Sequence, residues 1–244
     1  MRRIERVTLA PETSDALRSL QVEVDSHCQQ TDFDPGTHWS RKRSSQPLLA
    51  ACLALKGMAG SRERCMYCVD SAGSDIEHFW PKSRFCERMY VWENLLIACT
   101  ACGRYKGNQF PCGADESPLL IDPTAEDPWE FLDFDPDTGN ITARYLLATE
   151  ATAPKGETTV KVLHLDRREG ISAGYRKTYR RLCDLVTNWV RQQIPEDYLE
   201  QLRQADDHGL LGWFLHGSGQ NEPAFSCFRE RFQDAWVVCH RSLR

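Results

Sequence analysis

Two closely spaced pairs of cysteines, Cys65-Met66-Tyr67-Cys68 and Cys99-Thr100-Ala101-Cys102, organise the central part of the chain. Each Cys-x-x-Cys pair can present two thiolates to one metal ion, and two pairs complete the four ligands of a tetrahedral zinc site. The start of the chain lacks the apolar stretch of a signal peptide, so we expect a cytoplasmic protein, in which clustered cysteines bind metal rather than form disulfides. The pairs therefore predict a zinc clamp.

The loop enclosed by the clamp carries candidate catalytic groups. Thirty residues separate Cys68 from Cys99, more than a plain zinc ribbon uses, and they include Asp75-Ile76-Glu77-His78. In an extended strand Asp75 and Glu77 share one face. A neutral histidine can take a proton from water, and carboxylates bind divalent cations. The alternative is a purely structural zinc site, but two acids beside a histidine favour a functional one.

Charge is distributed unevenly along the chain, whose net charge is -5. Residues 40–110 contain 11 basic and 6 acidic side chains, a net charge of +5, whereas residues 111–150 contain 1 and 10, a net charge of -9. Lys and Arg neutralise phosphates when a protein binds nucleic acid, so the basic segment is the expected contact region. The acidic segment would face away from nucleic acid or dock on a basic partner.

The spacing of apolar residues predicts an α+β chain that is mainly helical. A turn-rich break is expected over 29–36, and the turn at Asp137-Thr138-Gly139-Asn140 predicts a hairpin. No apolar run approaches the roughly 20 residues of a membrane helix. We predict a helical segment over 1–60, a zinc module over 61–112, and acidic loops and helices over 113–244 that pack with the module. Helices are expected near 14–24, 47–58, 173–191, 197–204 and 224–241.

The central motifs resemble a known family of nucleases. Glu77-His78, Asn94 and the Cys-x-x-Cys-x-x-x-Lys-Gly run that begins at Cys99 resemble the ββα-metal motif of HNH endonucleases, over roughly residues 65–111. The runs Cys-x-Tyr-Cys, Asp-Ile-Glu-His-Phe-x-Pro-Lys, Trp-Glu-Asn-Leu-Leu and Lys-Gly-Asn-x-Phe-Pro are similar to the HNH proteins of Septu-type anti-phage systems and of some retrons. The resemblance implies a small ββα-metal module with a four-cysteine zinc site, embedded between helical segments.

The same resemblance implies roles for individual residues. His78 would be the general base, Glu77 a ligand of a catalytic divalent metal, and Asn94 the residue that holds the loop. The metal would be Mg²⁺, with Mn²⁺ or Ni²⁺ as alternatives. The family usually has Asn or His directly after the last cysteine as a second metal ligand, but this chain has Gly103. Asp75, Asn108 or water would then complete the coordination.

Basic side chains near the motif are the expected phosphate contacts. They are Lys82, Arg84, Arg88, Arg104 and Lys106.

By this resemblance the chain is expected to be a metal-dependent DNA endonuclease. It would be the effector of an anti-phage defence complex with an ABC-type ATPase partner. Two alternatives stay open. Gly103 is compatible with a catalytically weakened, zinc-stapled subunit that binds nucleic acid or protein, and HNH chemistry does not need the 2′-hydroxyl, so an RNA or tRNA nuclease is the other alternative.

Overall fold

The computed structural model describes residues 1–28 and 30–243. Within these ranges, ten α-helices accompany three antiparallel sheets of two strands each. The predicted class, α+β and mainly helical, is confirmed. The predicted break over 29–36 begins at Gln29, which lies outside the described residues.

The N-terminal segment forms helices α1 (Pro11–Asp25), α2 (Pro35–Lys42) and α3 (Gln46–Met58). Each has proline in its first turn, where the missing N–H is not needed by the helix. The sequence did not indicate α2, because Trp39 is its only buried side chain and no apolar periodicity marks it. The carboxylate of Asp34 caps α2 by accepting hydrogen bonds from the backbone of Gly36 and Thr37.

The central module has the chain order strand, strand, helix. Strand β1 (Asp75–His78) pairs antiparallel with β2 (Leu95–Ala98), so that Asp75 lies opposite Ala98 and His78 opposite Leu95. Strand β2 is buried along its whole length. Helix α4 (Thr100–Lys106) follows at once, with Cys99 as its N-cap. This order is the ββα arrangement predicted for the module.

The C-terminal part begins with a hairpin of β3 (Leu132–Phe134) and β4 (Ile141–Ala143), joined at the predicted turn. The single helix predicted over 224–241 is wrong: the chain breaks at Phe232, whose φ of -128° and ψ of 61° are not helical. The remaining elements are β5 (Tyr145–Leu146), β6 (Ala151–Thr152), α5 (Pro154–Leu163), α6 (Glu169–Arg191), α7 (Tyr198–Ala205), α8 (Leu210–His216), α9 (Pro223–Arg231) and α10 (Gln233–Ser242).

One continuous hydrophobic core joins these parts. It contains Leu17 of α1, Leu96 of β2 and Tyr175 of α6. The hydroxyl of Tyr175 also donates a hydrogen bond to the backbone oxygen of Cys68, at 3.1 Å. The module therefore packs directly on the C-terminal helices, while the predicted boundaries at residues 60 and 112 stay predictions. No helix among the described residues combines the length and apolar character needed to cross a membrane.

Candidate metal centre and active site

The four predicted zinc ligands converge on one point. The sulfur atoms of Cys65, Cys68, Cys99 and Cys102 lie within 4.8 Å of one another, and all four side chains are buried. The Sγ atoms of Cys68 and Cys99 are 3.8 Å apart, which matches the edge of a sulfur tetrahedron built on Zn–S bonds of about 2.3 Å. The donor set fits one zinc ion.

Backbone contacts hold both cysteine pairs in place. The first pair is a tight turn, in which the N–H of Val69 donates to the carbonyl oxygen of Cys65 at 2.9 Å. The second pair begins α4, where the N–H of Cys102 donates to Sγ of Cys99 at 3.4 Å. From the segment before α6, Nη1 of Arg168 donates to Sγ of Cys102 at 3.1 Å. Sequence reasoning missed Arg168, because nothing local links it to a cysteine 66 positions earlier.

His78 lies at the end of β1 and is only 3% exposed. Its Nε2 is 3.0 Å from the carbonyl oxygen of Met89. A carbonyl can only accept a hydrogen bond, so Nε2 carries the proton of the neutral ring and Nδ1 carries the lone pair. Burial lowers the pKa of His78 to about 3, which keeps the ring neutral at physiological pH. The ring is therefore neutral, with the lone pair of Nδ1 as its basic site, and the lowered pKa makes it a weaker base than an exposed histidine.

Trp39, from α2, covers His78. The two rings meet edge to face, with centroids 4.4 Å apart, and Nζ of Lys82 lies 5.9 Å from the centroid of the tryptophan ring. This contact joins the N-terminal segment to the strand that carries His78. No sequence pattern indicated the contact, since Trp39 stands alone among polar residues.

The two carboxylate oxygens of Glu77 face different surroundings. Oε1 accepts a hydrogen bond from Nζ of Lys106 at 2.8 Å, and the same ammonium donates to the carbonyl oxygen of His78 at 2.6 Å. Oε2 faces α4, 3.4 Å from the place where a Cβ on Gly103 would stand. Burial raises the pKa of Glu77, and the charge of Lys106 opposes that rise. One oxygen is thus held by Lys106 while the other faces the helix.

A cleft of about 600 Å³ opens between α2, β1 and the start of α4. Asp75 and Glu77, which alternate along β1, both line it, as does Gly103. The predicted sharing of a face by Asp75 and Glu77 agrees with this arrangement. Asn108 does not line the cleft; it is exposed beyond the end of α4. Its assignment as a ligand of the catalytic metal is therefore corrected, and Asp75 remains the second candidate ligand.

The five predicted phosphate contacts do not share one location. Lys82 and Arg104 line the cleft. Lys106 is 0% exposed and paired with Glu77, so its prediction as a phosphate contact is wrong. Arg84 and Arg88 lie outside the cleft, over the rings of Phe85 and Trp80 respectively, and their role as phosphate contacts stays a prediction. Nearness to the motif in the sequence cannot show that a lysine faces a buried carboxylate.

Asn94 closes the loop that connects β1 and β2. Its Oδ1 accepts from the N–H of Trp80 at 2.7 Å, and its Nδ2 donates to the carbonyl oxygens of Trp80 and Arg88 at 3.1 and 2.8 Å. The side chain is 2% exposed. Asn94 therefore satisfies three backbone groups of the segment that also supplies the Met89 carbonyl to His78.

Replacing Asn94 with alanine should destabilise the protein. Three backbone groups would lose a buried partner, and we expect a decrease of about 3 kcal/mol in the free energy of unfolding. Urea unfolding, monitored by tryptophan fluorescence, measures this decrease in the free energy of unfolding. The matched control is Asn108→Ala, an exposed asparagine of the same module, for which a change within about 0.5 kcal/mol is expected. Equal effects of the two substitutions would contradict the role of Asn94.

The structure also pairs two cysteines for which the sequence showed no partner. Cys28, after the end of α1, forms a disulfide with Cys86 in the loop between β1 and β2, with Cα atoms 6.1 Å apart. A spacing of 58 residues gives no local signal for such a pair.

The fold and the site together define a ββα module, with a cluster of four cysteines that could hold a metal ion and a neutral histidine next to a carboxylate. No protein-family model matches the chain. Septu protein PtuB of Bacillus mycoides (strain KBAB4) is 31% identical, over 43% of this chain and 44% of that protein. Septu protein PtuB of Bacillus thuringiensis is 30% identical, over 44% of this chain and 38% of that protein. The chain is thus related to Septu proteins, and it spans less than half the length of these curated relatives.

Proposed function

We propose that this chain is an HNH-type endonuclease that hydrolyses phosphodiester bonds in DNA with the help of a divalent metal. The observation that carries the proposal is the position of His78, a neutral histidine directly after the carboxylate of Glu77 on the first strand of a zinc-clamped ββα module. The relation to Septu protein PtuB supports a role in an anti-phage defence system. By the resemblance of its sequence motifs to Septu-type HNH proteins, its partner would be an ABC-type ATPase.

The proposed chemistry gives separate tasks to His78 and to the two carboxylates of β1. Nδ1 of His78 takes a proton from a water molecule, whose oxygen bonds to phosphorus while one P–O ester bond breaks; the departing oxygen takes a proton from solvent. Oε2 of Glu77 and the carboxylate of Asp75 are the side-chain ligands available in the cleft for Mg²⁺, which often retains several waters. Such an ion, when bound, supplies positive charge to the phosphate oxygens.

The remaining residues of the site position these groups. Lys106 holds Oε1 of Glu77 and the carbonyl oxygen of His78 at the same time, so it fixes the end of β1 and leaves Oε2 for the ion. Asn94 fixes the loop between β1 and β2, and the Met89 carbonyl fixes the tautomer of the His78 imidazole. Lys82 and Arg104 are the cations of the module placed to meet the substrate's phosphates.

The proposal is tested by incubating the zinc-loaded protein, alone and with its ATPase partner, with supercoiled plasmid and with matched DNA and RNA strands. We expect cleavage of DNA that requires Mg²⁺ or Mn²⁺. Cleavage of RNA in preference to DNA would assign the protein to RNA or tRNA nucleases instead. Binding without turnover in Mg²⁺, Mn²⁺ and Ni²⁺ would contradict the nuclease assignment.

A second candidate function is favoured by Gly103. A side chain at this position would start 3.4 Å from Oε2 of Glu77, which is where a second protein ligand could share a metal with Glu77. Glycine offers no ligand atom. The alternative is therefore a zinc-stapled subunit that binds nucleic acid or protein and has only weak nuclease activity.

Restoring a ligand at position 103 should strengthen metal binding. We expect Gly103→Asn to tighten the binding of Mn²⁺ about tenfold, because one additional neutral ligand should contribute about 1.4 kcal/mol, which is a factor of ten in affinity. Calorimetric titration of Mn²⁺ into the zinc-loaded protein measures this affinity. The control is Gly170→Asn, a helical glycine on α6 with open space where a Cβ would stand. Unchanged affinity in Gly103→Asn would show that the ion does not bind beside Glu77.

A further inference from the structure

The wall of the cleft that faces the ββα module is built by helix α2. Gly36, Trp39, Ser40 and Arg43 all line the cleft opposite Glu77. These residues stand at positions i, i+3, i+4 and i+7, so they lie on one face of the helix. Arg43 is the C-cap residue and its N–H donates to the carbonyl oxygen of Trp39 at 2.8 Å. The face is thus a continuous surface that ends in an arginine.

Packing fixes the orientation of this face. The Trp39 side chain is buried against His78, and its ring also lies 5.6 Å from that of Tyr90. With Trp39 anchored on the module, Arg43, one turn further along, lines the cleft and remains exposed to solvent there. The preceding residue, Lys42, shows the contrast: it does not line the cleft and it pairs with Glu23 at 3.0 Å.

The charge of the cleft comes from two sides. Arg43 on α2 stands opposite Lys82 and Arg104 of the module. Within residues 1–28 and 30–243, no ion pair joins any of these three cations to an acid. Unpaired cations on both walls, beside hydroxyl groups such as those of Ser40 and Thr100, suit a ligand with repeated negative charges. A nucleic-acid backbone is such a ligand.

We propose that the face of α2 formed by Gly36, Trp39, Ser40 and Arg43 is the second wall of a nucleic-acid groove, in which Arg43 binds a backbone phosphate. This inference rests on the proposed function, since the groove would hold the strand that His78 and Glu77 attack. It assigns a substrate-binding role to the N-terminal segment, outside the HNH-like motif. Helix α2 therefore belongs to the active site.

The test compares two neighbouring cations of α2. In a His78→Asn background, which prevents cutting and keeps a planar side chain against Trp39, fluorescence anisotropy measures binding of labelled duplex and single-stranded DNA over a range of salt concentrations. We expect Arg43→Ala to raise the Kd about fivefold to tenfold and to reduce the slope of log K against log salt by about 1. Lys42→Ala should change the Kd less than about twofold, since this lysine is paired away from the cleft. Arg43→Lys should keep the salt slope.

Cleavage kinetics provide a second readout that does not depend on the His78 variant. With His78 intact, Arg43→Ala should raise KM in proportion to the loss of binding and change kcat less than about twofold, because Arg43 contributes to substrate binding in the ground state. Equal effects of Arg43→Ala and Lys42→Ala, or no effect of either, would overturn the assignment of α2 while cleavage stays intact. Absence of both binding and cleavage in the unsubstituted protein would overturn the proposed function itself.

Discussion

His78→Ala is expected to lower the rate of divalent-dependent DNA cleavage by about 10² to 10⁴-fold, the range that general-base catalysis contributes. The reason is specific to this site. Nε2 is committed to the Met89 carbonyl, so Nδ1 is the atom that takes the proton, and alanine removes it. Plasmid cleavage at saturating Mg²⁺ measures the loss as a change in kcat.

A matched control separates this loss from a general loss of structure. His27, an exposed histidine after α1, can be replaced with alanine, and we expect the cleavage rate to stay within about twofold of the unsubstituted rate. Zinc content and the midpoint of urea unfolding should be measured for both variants. A His78→Ala protein that keeps more than a tenth of the activity would rule out His78 as the general base.

Cys99→Ser is expected to release the zinc ion and unfold the central module. Zinc contributes an apparent binding free energy of about 10–16 kcal/mol in small zinc-dependent folds, comparable with the whole stability of a typical domain, about 5–15 kcal/mol. Cys99 is also the N-cap of α4, where its sulfur accepts the N–H of Cys102. The substitution therefore affects both the metal centre and the start of the helix that carries Lys106.

Metal analysis and thermal unfolding measure this effect. The unsubstituted protein should contain one zinc per chain, and Cys99→Ser should contain much less and lose its cooperative transition. The control is Cys112→Ser, since Cys112 is exposed and lies outside the cluster. One zinc per chain and an unchanged transition in Cys99→Ser would show that the four cysteines do not form a metal centre.

The sequence predicted correctly the features that depend on residues only a few positions apart. Two Cys-x-x-Cys pairs have few uses other than one tetrahedral site, and the structure brings their sulfurs together. The alternation along a strand placed Asp75 and Glu77 on one face, because successive side chains of a strand point to opposite sides. The hairpin at residues 137–140 followed from its turn residues. Each of these inferences needed only the local geometry of the backbone.

Prediction failed where a residue's role depends on a distant partner. Lys106 is a cation near the motif, which predicted a phosphate contact at the surface. It is buried instead, because Glu77 and the His78 carbonyl lie within hydrogen-bonding distance of its ammonium group. The helix containing Trp39 has no apolar stripe, so its docking on His78 could not be inferred from periodicity. Arg168 reaches Cys102 across 66 positions. These contacts form only when separate helices and strands pack against one another.

The sequence by itself therefore determined which four cysteines converge, the strand that carries Glu77 and His78, and the helical class of the chain. Only the tertiary structure decided which of the basic residues reach the cleft, which oxygen of Glu77 stays available, and that α2 forms the opposite wall. The physical reason is that local spacing controls the direction of a side chain relative to its own backbone. Burial, ion pairing and the neutral state of His78 depend instead on groups that only the folded chain brings within a few ångströms.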